Sequence, residues 1–101
     1  MLLSYNLILK LDRYFPLTGF GETCSDISLY SIVDEDECIR VAAEHFGLTY
    51  SGNEATSNYP AGCYIYGVTS KTAYFNKHKS GSANPNTVEI CNQGIFIIFL
   101  D

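Results

Sequence analysis

From Leu7 onward the chain alternates, with Leu7, Leu9 and Leu11 on one side and Ile8, Lys10 and Asp12 on the other. A two-residue period predicts a half-buried strand, because successive side chains of extended backbone point to opposite faces. Pro16, Gly19 and Gly21 then punctuate Phe15 to Thr23, which reads as a loop. The period changes in DEDECIRVAAEHFGL. There Cys38, Ile39, Ala42, Ala43 and Phe46 share one side of a 3.6-residue wheel, and Glu37, Arg40 and Glu44 lie opposite. Asp34 stands at the capping position, with Glu37 three residues on as its capping-box partner. The acidic first turn suits the positive end of a helix dipole. Gly47 supplies the left-handed residue that ends a helix, and Leu48 the apolar contact that follows it. The spacing predicts a helix over 35–46.

Ser51 to Asn58 reads as a polar loop. Alternation returns at Cys63 to Tyr66 and again at Ala73 to Phe75, joined by Gly67 to Lys71, which predicts a hairpin. One face of that hairpin carries Cys63, Ile65, Ala73 and Phe75; the other carries Tyr64, Tyr66 and Tyr74. A long polar loop, NKHKSGSANPNT, leads to a short strand at Val88 to Ile90. The tail from Ile95 to Leu100 is apolar on both faces, as a buried strand is, and unpaired it would be prone to aggregate. The predicted fold is α+β, with one helix packed on a small antiparallel β-sheet.

The length, 101 residues, bounds this to a single domain with a modest core. Four cysteines, Cys24, Cys38, Cys63 and Cys91, then change the picture. Structural zinc sites bring ligands in close pairs, and these cysteines stand 14, 25 and 28 residues apart, so two disulfides are favoured over free thiols or metal. Three pairings are open. Cys38 on the buried side of the helix and Cys63 on the core face of its strand favour Cys38–Cys63, which leaves Cys24–Cys91 to tie the two ends of a module spanning 24–91. Residues 1–20 and 92–101 are then flanking strands or extensions. Disulfides imply an extracellular or organelle-lumen setting. Met1 to Asp12 lacks a basic n-region, and Lys10 and Asp12 interrupt its apolar run, so it reads poorly as an export signal. No apolar run reaches the roughly 20 residues that span a bilayer. A net charge of −5 with only six Lys and Arg argues against a nucleic-acid partner.

Several pieces form an ordered pattern: Cys24, Asp36-Glu37-Cys38, Ala42-Ala43, Gly47-Leu48, Tyr59-Pro60, Gly62-Cys63-Tyr64, Tyr74-Phe75-Asn76, Gly81-Ser82 and Ile90-Cys91. The pattern resembles small cysteine modules found as stand-alone or tandem units in proteins of algae and other marine eukaryotes. It covers about two-thirds of the chain and implies an exported, disulfide-bonded module. A looser similarity is to PAN/apple-like domains, in which a helix cysteine bonds a strand cysteine and which bind proteins or glycans.

Candidate chemistry is sparse. His45 borders the helix's apolar side and His78 lies in a basic loop, and neither has a second ligand or nucleophile at useful spacing. Asp34 to Glu37 lacks the alternating oxygens and glycine turn of a calcium loop and reads as helix capping. Ser80-Gly81-Ser82 matches no nucleophile or phosphate-loop motif. The feature that carries a functional expectation is the stripe of Tyr64, Tyr66 and Tyr74 with Tyr59 nearby. Tyrosine pairs a flat apolar face with a polar tip, suited to stacking on sugars or anchoring a protein. Asn76, with Asn58 and Asn84, is placed to add hydrogen bonds. The competing expectation is that the Leu7–Leu11 strand or the Phe96–Leu100 tail covers these rings. A non-catalytic module binding glycan or protein through Tyr59, Tyr64, Tyr66, Tyr74 and Asn76, without cofactor, is the first expectation. A structural subunit assembling through residues 95–100 is the alternative.

Overall fold

The computed structural model describes residues 11–15, 18–67 and 71–96, with the backbone course alone for 11–15 and 94–96. The helical spacing is realised as α1, Glu35–Phe46. The Asp34 carboxylate accepts the Glu37 N–H at 3.2 Å, satisfying one orphan donor of the first turn. At the other end Gly47 takes φ 62°, a conformation that costs glycine little. The Gly47 and Leu48 N–H groups donate to the carbonyls of Ala43 and Ala42 at 3.2 and 2.8 Å.

The buried stripe of α1 is Cys38, Val41 and Ala42, with Phe46 half-buried. Ile39 and Ala43, expected inward, are exposed. The cause is the bond from Cys38 to Cys63 on the sheet. It turns residue 38 to the middle of the contact face, so its i+3 and i+4 neighbours follow it inward while residue 39 sits roughly 100° round the helix.

The strands are β1 Leu11–Phe15, β2 Tyr30–Ser31, β3 Thr49–Glu54, β4 Gly62–Tyr66, β5 Thr72–Asn76, β6 Thr87–Glu89 and β7 Cys91–Phe96. They form a three-stranded sheet, β1-β7-β2, and a four-stranded sheet, β3-β5-β4-β6. The hairpin of β4 and β5 has the expected register, with Cys63 opposite Phe75, Tyr64 opposite Tyr74 and Ile65 opposite Ala73. The stretch expected as a polar loop from Ser51 supplies most of β3 instead, which runs parallel to β5. Its residues alternate between exposed and half-buried, so on this edge the ladder to β5 holds a strand that few apolar side chains announce.

α1 packs on the four-stranded sheet around a core of Ile32, Cys38, Val41, Cys63, Phe75 and Ile90, with Phe46, Leu48, Tyr50 and Ile65 against it. Both disulfides form as the spacing favoured: Cys38–Cys63 with Cα atoms 5.4 Å apart, and Cys24–Cys91 at 5.5 Å. The result is a small disulfide-bonded α+β fold. The flanks meet each other, since β1 pairs antiparallel with β7. Of the strand expected over 7–11, only Leu11 falls within the described residues, as the start of β1. Residues 97–100 of the apolar tail, and with them most of the proposed assembly surface, lie outside the described residues; Ile95 and Phe96 close β7. No described helix is long and apolar enough to cross a membrane.

Candidate functional site

Residues opposite one another in an antiparallel pair share a face of the sheet. The register therefore puts Tyr64, Tyr66 and Tyr74 on the face away from the disulfide to α1, together with Thr87 and Glu89 of β6. Tyr64 and Tyr74 stack with ring centroids 5.6 Å apart and planes 25° off parallel.

Tyr59 reaches this face because Asn76, at the end of β5, holds the loop before β4. Asn76 is 2% exposed. Its Oδ1 accepts the N–H groups of Thr56 and His78 at 3.0 and 3.1 Å. Its Nδ2 donates to the carbonyls of Thr56, Tyr59 and Pro60 at 2.8, 3.0 and 3.0 Å. Gly81 closes on the same loop. A Cβ at residue 81 would overlap the Tyr59 carbonyl and the Ala61 nitrogen, so only glycine admits this approach. The Ser82 N–H then donates to the Tyr59 carbonyl at 2.9 Å.

Held this way, Tyr59 stacks on Tyr64 at 5.6 Å and meets Tyr66 edge-on, with centroids 5.8 Å apart and planes at 88°. Tyr64, one of the expected binding rings, is 2% exposed and is the floor of the cluster. Tyr66 is 40% exposed, and Tyr59 and Tyr74 are half-buried. The four rings and Glu54 line a cleft of about 260 Å³. The Tyr64 hydroxyl donates to a carboxylate oxygen of Glu54, and burial pushes the Glu54 carboxyl above its ordinary range. Asn76 is thus a positioning residue, with both ends of its amide engaged inside the chain. Asn58 and Asn84 meet each other, the Asn84 amide donating to the Asn58 carbonyl at 3.3 Å.

The two segments expected as cover, Leu7–Leu11 and Phe96–Leu100, lie outside the described residues except for the backbone of Leu11 and Phe96. The stretch 18–31 is tied to β6 beside the tyrosines. Glu89 is 1% exposed. Its carboxylate accepts the Cys24 N–H at 2.8 Å and the Ser31 hydroxyl at 2.6 Å, while its own N–H donates to the Thr18 hydroxyl at 2.8 Å. Desolvation pushes its carboxyl up, against the opposing effect of those bonds.

Two residues of this arrangement, Glu54 and Glu89, escaped the sequence reading. Glu89 left a signal, being one acid between Val88 and Ile90 in an apolar run. Glu54 left none, since it closes a polar stretch. The acidic helix start behaves as a structural element: the Tyr50 hydroxyl and the Asn53 amide donate to Glu35 at 2.6 and 2.7 Å. These bonds hold Glu35 below the ordinary carboxylate range, while burial and the Glu35 contact push the Tyr50 phenol well up. His45 is exposed beside Phe46, with ring centroids 6.2 Å apart. Among the described residues, no group of three or more His, Cys, Asp or Glu is arranged to hold a metal ion.

Comparison with protein-family models, with curated proteins and with solved structures gives no match.

Proposed function

We propose that this chain is a non-catalytic recognition module of the exported cysteine-module type its motif order resembles, acting in an oxidising extracellular or luminal compartment. Its ligand is a glycan, taken one sugar ring deep in the tyrosine cleft. The observation that carries the reading is the perpendicular meeting of Tyr59 and Tyr66 above the Tyr64 and Tyr74 rings, with Glu54 among the lining residues. Two rings at right angles offer a sugar one flat apolar wall to stack on and a second to abut. A carboxylate nearby accepts sugar hydroxyls, giving the few placed polar contacts by which small sites set orientation. The cleft, at about 260 Å³, suits one ring rather than a drug-sized ligand. Two disulfides are compatible with the oxidising setting.

The test is a glycan array on the oxidised chain, followed by titration calorimetry of any bound glycan against Tyr66→Ala and Glu54→Gln. Tyr66 is the informative ring because, of the stripe, it is the most exposed and its loss costs the core least. A bound glycan whose affinity falls on the order of tenfold or more in Tyr66→Ala supports the reading. An empty array, or undiminished affinity in both variants, removes it. Capture of a protein through the same residues would replace the glycan by a protein partner.

A further inference from the structure

A second cleft, of about 600 Å³, lies where the end of β5 meets the chain entering α1, and it shares no lining residue with the tyrosine cleft. Its apolar lining includes Phe75, Ala61 and Val33. Phe75 is buried in the core cluster, whereas Val33 is 84% exposed, an apolar side chain left at the surface. Consecutive residues Lys77, His78 and Lys79 also line it, beside Ser31, Gly62 and Asn76. The chain as a whole carries 11 Asp and Glu against six Lys and Arg, yet two of those six stand here. The local charge is therefore opposite in sign to that of the whole chain.

The backbone under these cations is held in place. The Lys77 N–H donates to the Glu54 carbonyl at 2.7 Å and the His78 N–H to Asn76 Oδ1 at 3.1 Å. His78 Nδ1 accepts the Ser80 N–H at 3.1 Å, which in the neutral ring leaves Nε2 as a second donor beside the lysines. Glu35 acts on Lys77 from α1 and offsets part of its charge, while the Tyr50 and Asn53 bonds hold one of its carboxylate oxygens. The cleft volume falls within the range of small-molecule sites, which pair an apolar lining with a few placed polar groups.

We infer that this cleft binds a small organic anion, its acidic head group at Lys77 and Lys79 and its apolar body against Phe75, Ala61 and Val33. Lysines are flexible point charges, so they suit a carboxylate or sulfonate head without demanding a bidentate geometry.

The experiment is an NMR titration of the whole, oxidised chain with anilinonaphthalene sulfonate, an anion on an apolar body. The neutral phenylnaphthylamine, which lacks the sulfonate, is the control. Saturable one-to-one binding is expected, with shifts centred on Val33, Ala61, Phe75 and the 77–79 backbone. The neutral probe and the K77Q/K79Q double variant should each weaken binding on the order of tenfold. Val33→Asp, a change at an exposed site that leaves the core intact, should weaken it likewise by setting a charge against the apolar body. Tyr66→Ala should leave it unchanged, which separates this site from the tyrosine cleft. Shifts centred on Tyr59 and Tyr66, equal affinity for the neutral probe, or full affinity in K77Q/K79Q would each overturn the inference.

Discussion

Replacing Asn76 with alanine removes a side chain that bonds five backbone groups and strands four of them, since the Tyr59 carbonyl keeps the Ser82 N–H. Of the five, two are donors, the N–H groups of Thr56 and His78, and three are acceptors, the carbonyls of Thr56, Tyr59 and Pro60. A buried polar group left without its partner costs about 1–3 kcal/mol. Thr56 and His78 are only half-buried, so water recovers much of their loss, while Pro60 is buried. The sum is about 3 kcal/mol, a large share of the roughly 5–15 kcal/mol by which a domain is stable. The assay is urea unfolding at constant slope, where the loss appears as a lower midpoint. The same substitution frees the loop that presents Tyr59, so the ring-current shifts of Tyr59 and Tyr66 should collapse toward random-coil values in the folded protein. Asn76→Asp sharpens the test. The carboxylate keeps both acceptor bonds but faces three carbonyls, which disfavours the anion and raises its pKa. The penalty is therefore largest at neutral pH and shrinks as pH falls through the raised value, where a proton restores one donor. A cost below about 1 kcal/mol in Asn76→Ala, or unmoved Tyr59 and Tyr66 resonances, would show that the amide does not hold the loop.

The two disulfides close segments of 25 and 67 residues. Chain entropy assigns them about 3.5 and 4.4 kcal/mol, so Cys38→Ala/Cys63→Ala should lower the melting temperature steeply, and reduction of both bonds should unfold the chain at modest temperature. An unchanged melting temperature in reductant, with all four thiols shown to be free, would refute this. The raised carboxyl of Glu89 makes a prediction of opposite sign to the usual carboxylate. The folded state holds the proton more tightly than the unfolded chain, whose value is near 4.5. Stability is then greatest below that value and falls as pH rises from it through the folded-state value. Glu89→Gln, which can still accept from Cys24, should flatten that fall in pH-resolved urea midpoints; superimposable profiles would exclude burial of Glu89 as its cause.

Local chemistry was enough to determine α1 and the β4–β5 hairpin, and it favoured Cys38–Cys63 among three open pairings, which the structure then settled. Each is written in a short-range pattern: a cap, a 3.6-residue period and a glycine stop, or a two-residue alternation that sorts Cys63 and Phe75 from Tyr64 and Tyr74. Once both cysteines of a pair point into one core, their bonding follows. Contacts between distant segments decided the rest, because nothing in a local period encodes them. Thr49–Glu54 is a strand only because β5 lies beside it. Cys38 rotates the helix so that Val41, rather than Ile39, goes inward. Above all, Tyr64 becomes the floor rather than the surface of the tyrosine cluster because Asn76, Gly81 and Ser82 fold Tyr59 over it. The alternation says which side of the sheet a ring stands on; only the packed loop says whether solvent can reach it.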